Sequence, residues 1–467
     1  MGEVDANLPV SETRTPSGRL ILSTLIPCAA AVLAFALLAV FRGYFSRPYL
    51  VFIAGYLVAF AGCAVSAAVL MRRFPKSENA DSSENPLIHK LLTAIIILAV
   101  VFRVILLFGR PDDDVYRALW EGRVIRAGYS PYSYSPDSKD LVDPADRSRL
   151  LSDADPYFER VTHRAFRSFY PPFSFSLIVA AGWVSYTPAA LKLLFTLFDI
   201  CTILLIIMLL KKRRLSPFAV ILYAWNPIVL SAFSLGAHHD STFVFFLVLA
   251  VLLHERGNAG AAFFTLGLAA MSNFIAFLAL PVFLAGSRRL RPALHFIWPC
   301  LPGLLMLLAG GASLAETLST IGTSPYYHWN DSLHYILSLF GVTAWQAQAA
   351  GRILAVLGFI SLYVLILKRE LQATRAILAI LVAFLLFSPT VQPWFLAWFA
   401  PLLCLHPARP WILWTGTVAA FYAVWGIAVE TGGEPHDLPV IKLIEYLPVF
   451  ALFVYDFIKA RMEAKSP

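Results

Sequence analysis

The chain has 467 residues, of which 59% are hydrophobic and 14% are charged, and its formal net charge is +8. Soluble domains rarely exceed about half apolar residues, so this composition excludes an ordinary soluble protein and indicates an integral membrane protein. The basic residues lie in short clusters between apolar runs, which is typical of topology signals and excludes nucleic acid as a partner.

The chain begins with a polar segment, residues 1–19, that has neither the basic region nor the small-residue cleavage site of a signal peptide. We therefore expect a cytoplasmic tail followed by an uncleaved first span. Apolar runs then recur near residues 20–40, 49–71, 90–108, 171–210, 215–235, 241–253, 259–271, 274–286, 293–310, 347–367, 376–388, 394–406, 411–428 and 439–458.

Several of these runs are shorter than the roughly 20 residues of an ideal span, which indicates broken or tilted helices around an internal cavity. The sequence thus predicts an all-α polytopic membrane domain over residues 20–459, with about 14 (roughly 12 to 14) transmembrane helices. A short cytoplasmic tail, residues 460–467, follows it.

The basic clusters predict the orientation of the chain. They lie at residues 211–214, 288–291 and 368–370 and near the C-terminus, and the positive-inside rule places all of them in the cytoplasm. Counting crossings then puts the polar segments 109–169 and 311–345 outside, together with residues 236–241 and 388–394. The polar motifs are therefore predicted to share the extracytoplasmic face.

The first motif is acidic. Asp112, Asp113 and Asp114 directly follow the third apolar run, and an amphipathic helix along the interface is predicted to carry Tyr116, Arg117, Trp120, Glu121 and Arg123. Adjacent carboxylates repel each other, and a nearby cation, substrate hydroxyl or basic group is needed to offset this repulsion. The motif therefore indicates a general base or a metal site; the alternative is a solvated loop with an aromatic anchor.

The second motif is His238, His239 and Asp240, between two apolar runs. Ionisable groups at membrane depth usually belong to a pathway or a site, although a short loop reaching headgroup water is the alternative. Two adjacent histidines do not easily face one ion from a helix, so this triplet does not predict a metal centre.

Three further segments favour positioning or binding. Tyr170 precedes a double proline that fixes the start of a helix, and Gln392 and Trp394 belong to a proline-kinked segment that is predicted to line a cavity. Trp329 and Asn330 follow Tyr326 to His328 in an aromatic loop, which suits either stacking on sugar faces or an interfacial belt.

Lys192 and Asp199 are seven residues apart in an apolar run and therefore share one helix face. A packing pair, a snorkelling lysine and a functional role all remain open for them. No nucleotide-binding fingerprint or phosphate-binding glycine loop is present, which favours a lipid-borne substrate and no nucleotide cofactor.

The stretches "DDVYRALWEGRVIRAGYSPY", "FYPPFSF", "YAWNPIVLSAFSLGAHHDS" and "SPTVQPWFLAWFAPLL" resemble the GT-C superfamily of membrane glycosyltransferases. The resemblance is to bacterial polyprenyl-phosphate-mannose-dependent mannosyltransferases and to glycosyltransferase family 87. It implies a multi-pass protein of the cell membrane, in bacteria the inner membrane, with an extracytoplasmic active site. The donor would be a polyprenyl-phosphate sugar, and the acceptor a glycan or lipid-linked glycan.

By this resemblance, Asp113 or Asp114 is the general base, and His238 to Asp240 match an outer motif usually written His-Asn-Asp, with His239 in its middle position. The chain departs from the family pattern in two places. Ser272 or Asn273 stands where a basic residue is common, and Gln392 stands where a histidine is common. The predicted substrate-binding residues are Asp112, Arg117, Trp120, Glu121, Arg123, Tyr170, His238, His239, Asp240, Trp329, Asn330, Gln392 and Trp394.

The implied reaction transfers a hexosyl residue, expected to be mannosyl, with inversion. Arg117, Arg123, Arg164 or Arg167 would neutralise the leaving phosphate, or a divalent cation such as Mg or Mn on Asp113 and Asp114 would do so. A lipid or solute transporter is the alternative function, and a non-catalytic assembly protein ranks last. The lack of an internal repeat and the collection of polar motifs at one face favour the transferase.

Overall fold

The computed structural model describes residues 18–42, 49–75, 86–168, 170–287, 290–309, 329–339, 344–369, 371–433 and 435–463. Residues 1–17 of the predicted N-terminal tail and most of the predicted loop 311–345 lie outside these residues, as do Tyr326 to His328. In the described part, regular structure is helical, and extended segments pair only in two isolated bridges, Val142 with Leu150 and Trp329 with Thr390. This confirms the all-α prediction.

The helices follow the apolar runs closely. Counting short 3₁₀ and π turns with the helices they continue, they are α1 (Gly18–Arg42), α2 (Tyr49–Arg73), α3 (Pro86–Leu107), α4 (Asp114–Arg126), α5 (Pro172–Val184), α6 (Pro188–Lys212), α7 (Pro217–Ala224), α8 (Pro227–Leu235), α9 (Asp240–Glu255), α10 (Ala259–Ser272), α11 (Phe274–Ala285), α12 (Ile297–Ala309), α13 (Leu333–Ser338), α14 (Ala344–Lys368), α15 (Ala373–Phe387), α16 (Ala400–Leu405), α17 (Arg409–Thr431) and α18 (Pro439–Glu463). Separate 3₁₀ turns lie at Leu151–Ala154, Phe158–Arg160 and Pro393–Trp398, whereas the 3₁₀ turn Arg291–Phe296 runs directly into α12 and forms one candidate span with it.

Seven described helices are long and apolar enough to cross a membrane, or eight if the bent pair α7 and α8 forms one span. Four shorter apolar helices, α5, α10, α11 and α15, accompany them. The chain is thus a membrane protein, while the count of about 14 crossings stays a prediction. The apolar run 171–210 is divided into α5 and α6 by a short turn at residues 185–187.

α7 and α8 meet at an angle of 48°, so the predicted occurrence of broken helices is confirmed here. The break falls before Pro227, whose nitrogen cannot donate to the preceding turn. The Nη1 of Arg103 donates to the carbonyl of Ala224 over 2.8 Å, and the indole of Trp225 donates to Ile95 over 3.1 Å. Asn226 caps α8 by accepting from the nitrogen of Ile228. The backbone groups freed by the break therefore have partners inside the protein.

A polar cluster joins four helix ends at one face of the bundle. Arg213, just after α6, pairs with Glu255 at the end of α9, with 3.0 Å between Nε and Oε1. It also donates to Thr374 at the start of α15, and Thr374 lies 2.7 Å from a ring nitrogen of His406, just after α16. The basic cluster at residues 211–214 therefore shares one face with these ends. The opposite end of α9 carries His239 and Asp240, about 24 Å away along its 16 residues.

Candidate active site

Three separated segments meet at the end of α9 opposite the Arg213 cluster. The Nε2 of His238 lies 3.4 Å from the Oδ2 of Asp112, which joins the second motif to the first. The indole of Trp394 stacks on the imidazole of His238, with ring centroids 4.0 Å apart. Tyr170 contacts His239 edge to face at 4.9 Å. The fold therefore brings the acidic motif, the histidine motif, the double-proline segment and the kinked segment into one site.

The three carboxylates of the acidic motif have different surroundings. Asp112 is held by His238 and accepts a hydrogen bond from the nitrogen of Asp113 over 2.7 Å. Asp113 points to the exposed Arg110, with 3.4 Å between Nη2 and Oδ1. Asp114 begins α4, is partly buried, and accepts no hydrogen bond from any residue that the structure describes. Of the three, Asp114 is thus the carboxylate left open to a substrate.

Burial and charge set the proton affinity of Asp114. Burial is the largest effect and raises its pKa. The negative charge of Asp112 raises the pKa further, while the charges of His238 and Arg117 lower it. The result is a pKa of about 6. Such a carboxylate is mostly ionised near neutral pH and still has a useful affinity for a proton, which suits a general base.

The two adjacent histidines differ in proton affinity, because burial and nearby charges act on them differently. Burial lowers the pKa of His238, but its hydrogen bond to Asp112 and the nearby carboxylates more than offset this, so the pKa is raised above its usual value. Burial lowers the pKa of His239. His238 is therefore the histidine that favours the cationic form, and His239 favours the neutral form.

Asp240 is buried and accepts a hydrogen bond from the Nδ2 of Asn273 over 2.8 Å. Asn273 also caps α11, because its Oδ1 accepts from the nitrogen of Ile275. Either Asn273 or the adjacent Ser272 stands where the resemblance leads one to expect a basic residue, and the neutral amide of Asn273 is the group that donates to the carboxylate of the second motif. Sequence reasoning did not assign Asn273 to the site, although its departure from the family pattern was a usable signal.

The helix predicted to lie along the interface is enclosed instead. α4 forms, but residues 115–122 and Val124 are buried. Trp120 packs edge to face on Phe158 at 4.8 Å rather than in an interfacial belt. The physical reason is that the helix is covered on two sides: Val115, Ala118 and Leu119 pack with residues of α5 and α6, and the following loop, residues 151–168, folds back over Trp120 and Val124. The sequence pattern of α4 does not show this cover because the covering residues lie in later segments of the chain.

Arg117 and Glu121 hold the loop 151–168 against α4. The Nε of Arg117 lies 2.5 Å from Glu121, and its other nitrogens donate to the carbonyls of Thr162, His163 and Phe166. The hydroxyl of Ser168 donates to Glu121 over 2.8 Å. Most donors of Arg117 are therefore engaged, which favours a structural role, although its charge reaches Asp114.

Other arginines of the loop are also engaged. Arg123 pairs with Asp155 over 2.8 Å, and Arg164 donates to the carbonyls of Phe158 and Val161. The cations beside Asp113 are Arg110 and Arg160, whose charges both lower its pKa against the larger effect of burial. Arg160 lies over the ring of Tyr116 at 4.1 Å. Sequence reasoning missed both residues, since neither spacing nor composition distinguishes them from the other arginines.

Trp329 and Asn330 belong to a second, neighbouring cluster. The nitrogen of Val391 donates to the carbonyl of Trp329 over 2.8 Å, so this segment runs beside the one that carries Gln392. Yet the Trp329 ring packs on Phe421, and the Nδ2 of Asn330 donates to Glu445 in α18. The structure thus brings the backbone of this loop to the site but buries the two predicted side chains away from it. Gln392 keeps a buried Oε1 without a partner among the described residues.

In the part of the chain that the structure describes, no three side chains of His, Cys, Asp or Glu are grouped so as to hold a metal ion. A divalent cation on Asp113 and Asp114, one of the two options that the sequence left open, would find no third ligand of these types here.

The apolar helices and the buried cluster of carboxylates and histidines at their ends define a membrane protein with a polar site of the kind that enzymes carry. Residues 22–287 match the family described as "Alpha-(1->6)-mannopyranosyltransferase, N-terminal domain", and since this is more than half of the chain, the protein belongs to that family. No curated protein and no solved structure matches the chain.

The family confirms the resemblance to GT-C mannosyltransferases of the family 87 type. A membrane mannosyltransferase uses a sugar donor and a glycan acceptor, and these follow for this chain at that level of detail. The matched residues include Asp112 to Asp114 and His238 to Asp240, and they end before Trp329, Gln392 and Trp394.

Proposed function

We propose that the protein transfers a mannosyl residue from a polyprenyl-phosphate donor to a glycan or lipid-linked acceptor at the extracytoplasmic face of the cell membrane. The observation that carries the proposal is the Asp114 carboxylate, partly buried and without a described hydrogen-bond donor, next to the Asp112 and His238 pair. Asp113, the other predicted catalytic carboxylate, points to Arg110 and ranks second.

In the proposed reaction, Asp114 takes the proton from a hydroxyl of the acceptor as that oxygen forms a bond to the anomeric carbon of the donor sugar. The bond between this carbon and the phosphate oxygen breaks, and polyprenyl phosphate leaves with the electron pair. Attack from the face opposite the leaving group inverts the configuration. His239 and Asp240 line the same site and are proposed to bind the sugars.

The leaving phosphate needs positive charge close to the site. His238 favours the cationic form, and the guanidinium of Arg110 is 61% exposed and paired only loosely with Asp113. Arg160 contributes a further charge beside Asp113. We propose that these groups, rather than Arg117 or Arg123, neutralise the charge of the leaving phosphate. The donors of Arg117 and Arg123 are bound within the loop.

The depth of the site suits a lipid donor. The Arg213 cluster and the site lie at opposite ends of α9, about 24 Å apart, which approaches the roughly 30 Å thickness of the hydrocarbon core. If the basic clusters face the cytoplasm, the site lies near the outer headgroups. A polyprenyl tail then stays in the bilayer while its phosphate reaches Asp114 and His238.

The rival function, transport, would use charges in the middle of the membrane that change partners. Arg103 in α3 and Asp199 in α6 are buried charges within apolar helices, but they form a bidentate pair, and Arg103 also donates to two carbonyls. This arrangement favours a fixed structural pair, which supports the transferase.

The experiment that tests the proposal is transfer of labelled mannose by purified protein in lipid vesicles. Polyprenyl-phosphate mannose and a soluble nucleotide sugar are compared as donors, with a glycan pool as the acceptor. We expect a labelled glycan only with the lipid donor. Transfer from the nucleotide sugar alone contradicts the donor assignment, and movement of lipid or solute across the vesicle without transfer supports the transport alternative.

A further inference from the structure

α6 carries a row of buried polar side chains that take no part in the reaction described above. Lys192, Thr196 and Asp199 lie at positions i, i+4 and i+7, so they share one face of the helix. Each is at most 2% exposed. Burying charged groups inside an apolar helix bundle costs free energy, so their hydrogen-bond partners indicate their role.

Asp199 holds Arg103 of α3. The Nε and Nη2 of Arg103 lie 2.6 and 3.1 Å from the two carboxylate oxygens, and both side chains are fully buried. Arg103 also donates over 2.8 Å to the carbonyl of Ala224, the last residue of α7 before the break. A carbonyl at a helix end lacks a helical partner and needs one from elsewhere. Asp199 therefore ties α3 to the broken helix through Arg103.

Lys192 holds the C-terminal end of α3, just beyond Arg103. Its Nζ donates to the carbonyls of Leu106 over 2.8 Å and Gly109 over 2.5 Å. A cation at a helix C-terminus satisfies the last carbonyls and complements the helix dipole. Gly109 lies three residues before Asp112. Lys192 therefore fixes the point from which the acidic motif begins.

Thr196 reaches the segment that carries the histidines. Its hydroxyl lies 3.3 Å from that of Ser234 in α8, and His238 follows four residues later. Leu235 packs so closely on Gly109 that a Cβ at Gly109 would lie 2.4 Å from a Leu235 methyl carbon. The segment leading to Asp112 and the segment leading to His238 are thus in contact, and one face of α6 holds both.

We propose that the Lys192, Thr196 and Asp199 face of α6 is a positioning element that sets the contact between Asp112 and His238, and with it the direction of Asp114. These three residues touch no reacting atom. The inference rests on the proposed transfer reaction, in which a displacement of about 1 Å costs up to about a hundredfold in rate.

The test measures kcat and the donor KM of the full-length protein in lipid vesicles with labelled polyprenyl-phosphate mannose. Lys192→Met and Asp199→Asn are expected to lower kcat by about tenfold or more and to leave the donor KM within about twofold of wild type. Lys192→Arg, which can still donate to the α3 carbonyls, is expected to recover most of the kcat. A purely structural role predicts no such division between kcat and KM.

Glu255→Gln is the matched control, because it weakens another ion pair of the bundle at the far end of α9. It is expected to lower the unfolding temperature without changing kcat. If Lys192→Met does not fold, Thr196→Val removes only the hydroxyl next to Ser234 and is expected to lower kcat. Wild-type kcat in Thr196→Val and Asp199→Asn overturns the inference, whereas an inactive wild-type protein overturns the proposed function instead.

Discussion

The imidazole of His238 lies almost flat on the indole of Trp394, with planes 17° apart and centroids separated by 4.0 Å. The two residues are 156 positions apart in the chain, so the stack joins the middle of the protein to its C-terminal third. A cation over an aromatic face gains about 1 kcal/mol or more when water is excluded. The stack therefore favours the cationic form of His238 in addition to its contact with Asp112.

Replacing the indole tests this relationship. In Trp394→Leu, the pKa of His238 is expected to fall, because the aromatic partner of its cation is lost. The alkaline limb of the kcat/KM profile then moves to lower pH, by roughly half a unit to one unit. Trp394→Phe, which keeps an aromatic face, is the control and should move less. An unchanged limb in Trp394→Leu would show that the charge of His238 does not control the rate.

We assign the acidic limb of the kcat/KM profile to the ionisation of Asp114. Activity is expected to rise with pH through about 6, as this carboxylate loses its proton and becomes a base. Because the charge of Asp112 raises the pKa of Asp114 more than His238 lowers it, Asp112→Asn is expected to move the acidic limb to lower pH. The measurement is kcat/KM in wild type and Asp112→Asn over a range of about two pH units on either side of this limb. A limb that stays in place or moves upward contradicts the assignment.

The buried pair in α4 predicts a loss of stability. Glu121→Ala leaves the guanidinium of Arg117 buried without its carboxylate, which is expected to cost about 3 kcal/mol of the free energy of unfolding. Glu159→Ala is the matched control, since it removes an exposed carboxylate that pairs with Arg164 in the same loop. Denaturant unfolding in detergent measures both. Equal stabilities of the two variants would show that the Arg117 pair does not fasten the loop.

Asn273→Asp isolates the contact between Asn273 and Asp240. The new carboxylate still accepts from the nitrogen of Ile275 and so keeps the helix cap, but it repels Asp240 instead of donating to it. We expect kcat/KM to fall about tenfold or more, because Asp240 moves or takes up a proton. Asn258→Asp changes the equivalent cap of α10, far from the site, and is expected to leave kcat/KM unchanged. Equal effects would assign the loss to the cap alone.

The sequence predicted the helices well because burial in lipid leaves a direct signal in apolar runs. The prediction for residues 49–71, for example, differs from α2 by only two residues at one end. The basic clusters also predicted one shared face for Asp112 to Asp114, His238 to Asp240 and Trp394. The structure brings Asp112, His238 and Trp394 into contact.

The partners of single side chains were beyond sequence reasoning. Arg103 sits inside an apolar run, and nothing in its spacing indicates Asp199, which lies 96 residues away. Arg117 was predicted to bind substrate, but its partners include main-chain carbonyls. Because every residue has a main-chain carbonyl, the sequence does not indicate which ones an arginine will bind. The loop around Trp329 has the aromatic and polar composition of a sugar-binding surface. In the structure, however, the Trp329 ring packs against Phe421 and Trp425 and is covered.

The most direct test of the account is mannosyl transfer by Asp114→Asn in lipid vesicles, compared with wild type and with Asp140→Asn, which alters an exposed carboxylate in the same loop. The amide nearly preserves the shape of Asp114 but cannot take up the proton of the acceptor. We predict a folded protein whose kcat is at least about a hundredfold lower, while Asp140→Asn transfers mannose at the wild-type rate. An Asp114→Asn variant that folds and keeps the wild-type kcat would contradict the assignment of Asp114 as the base.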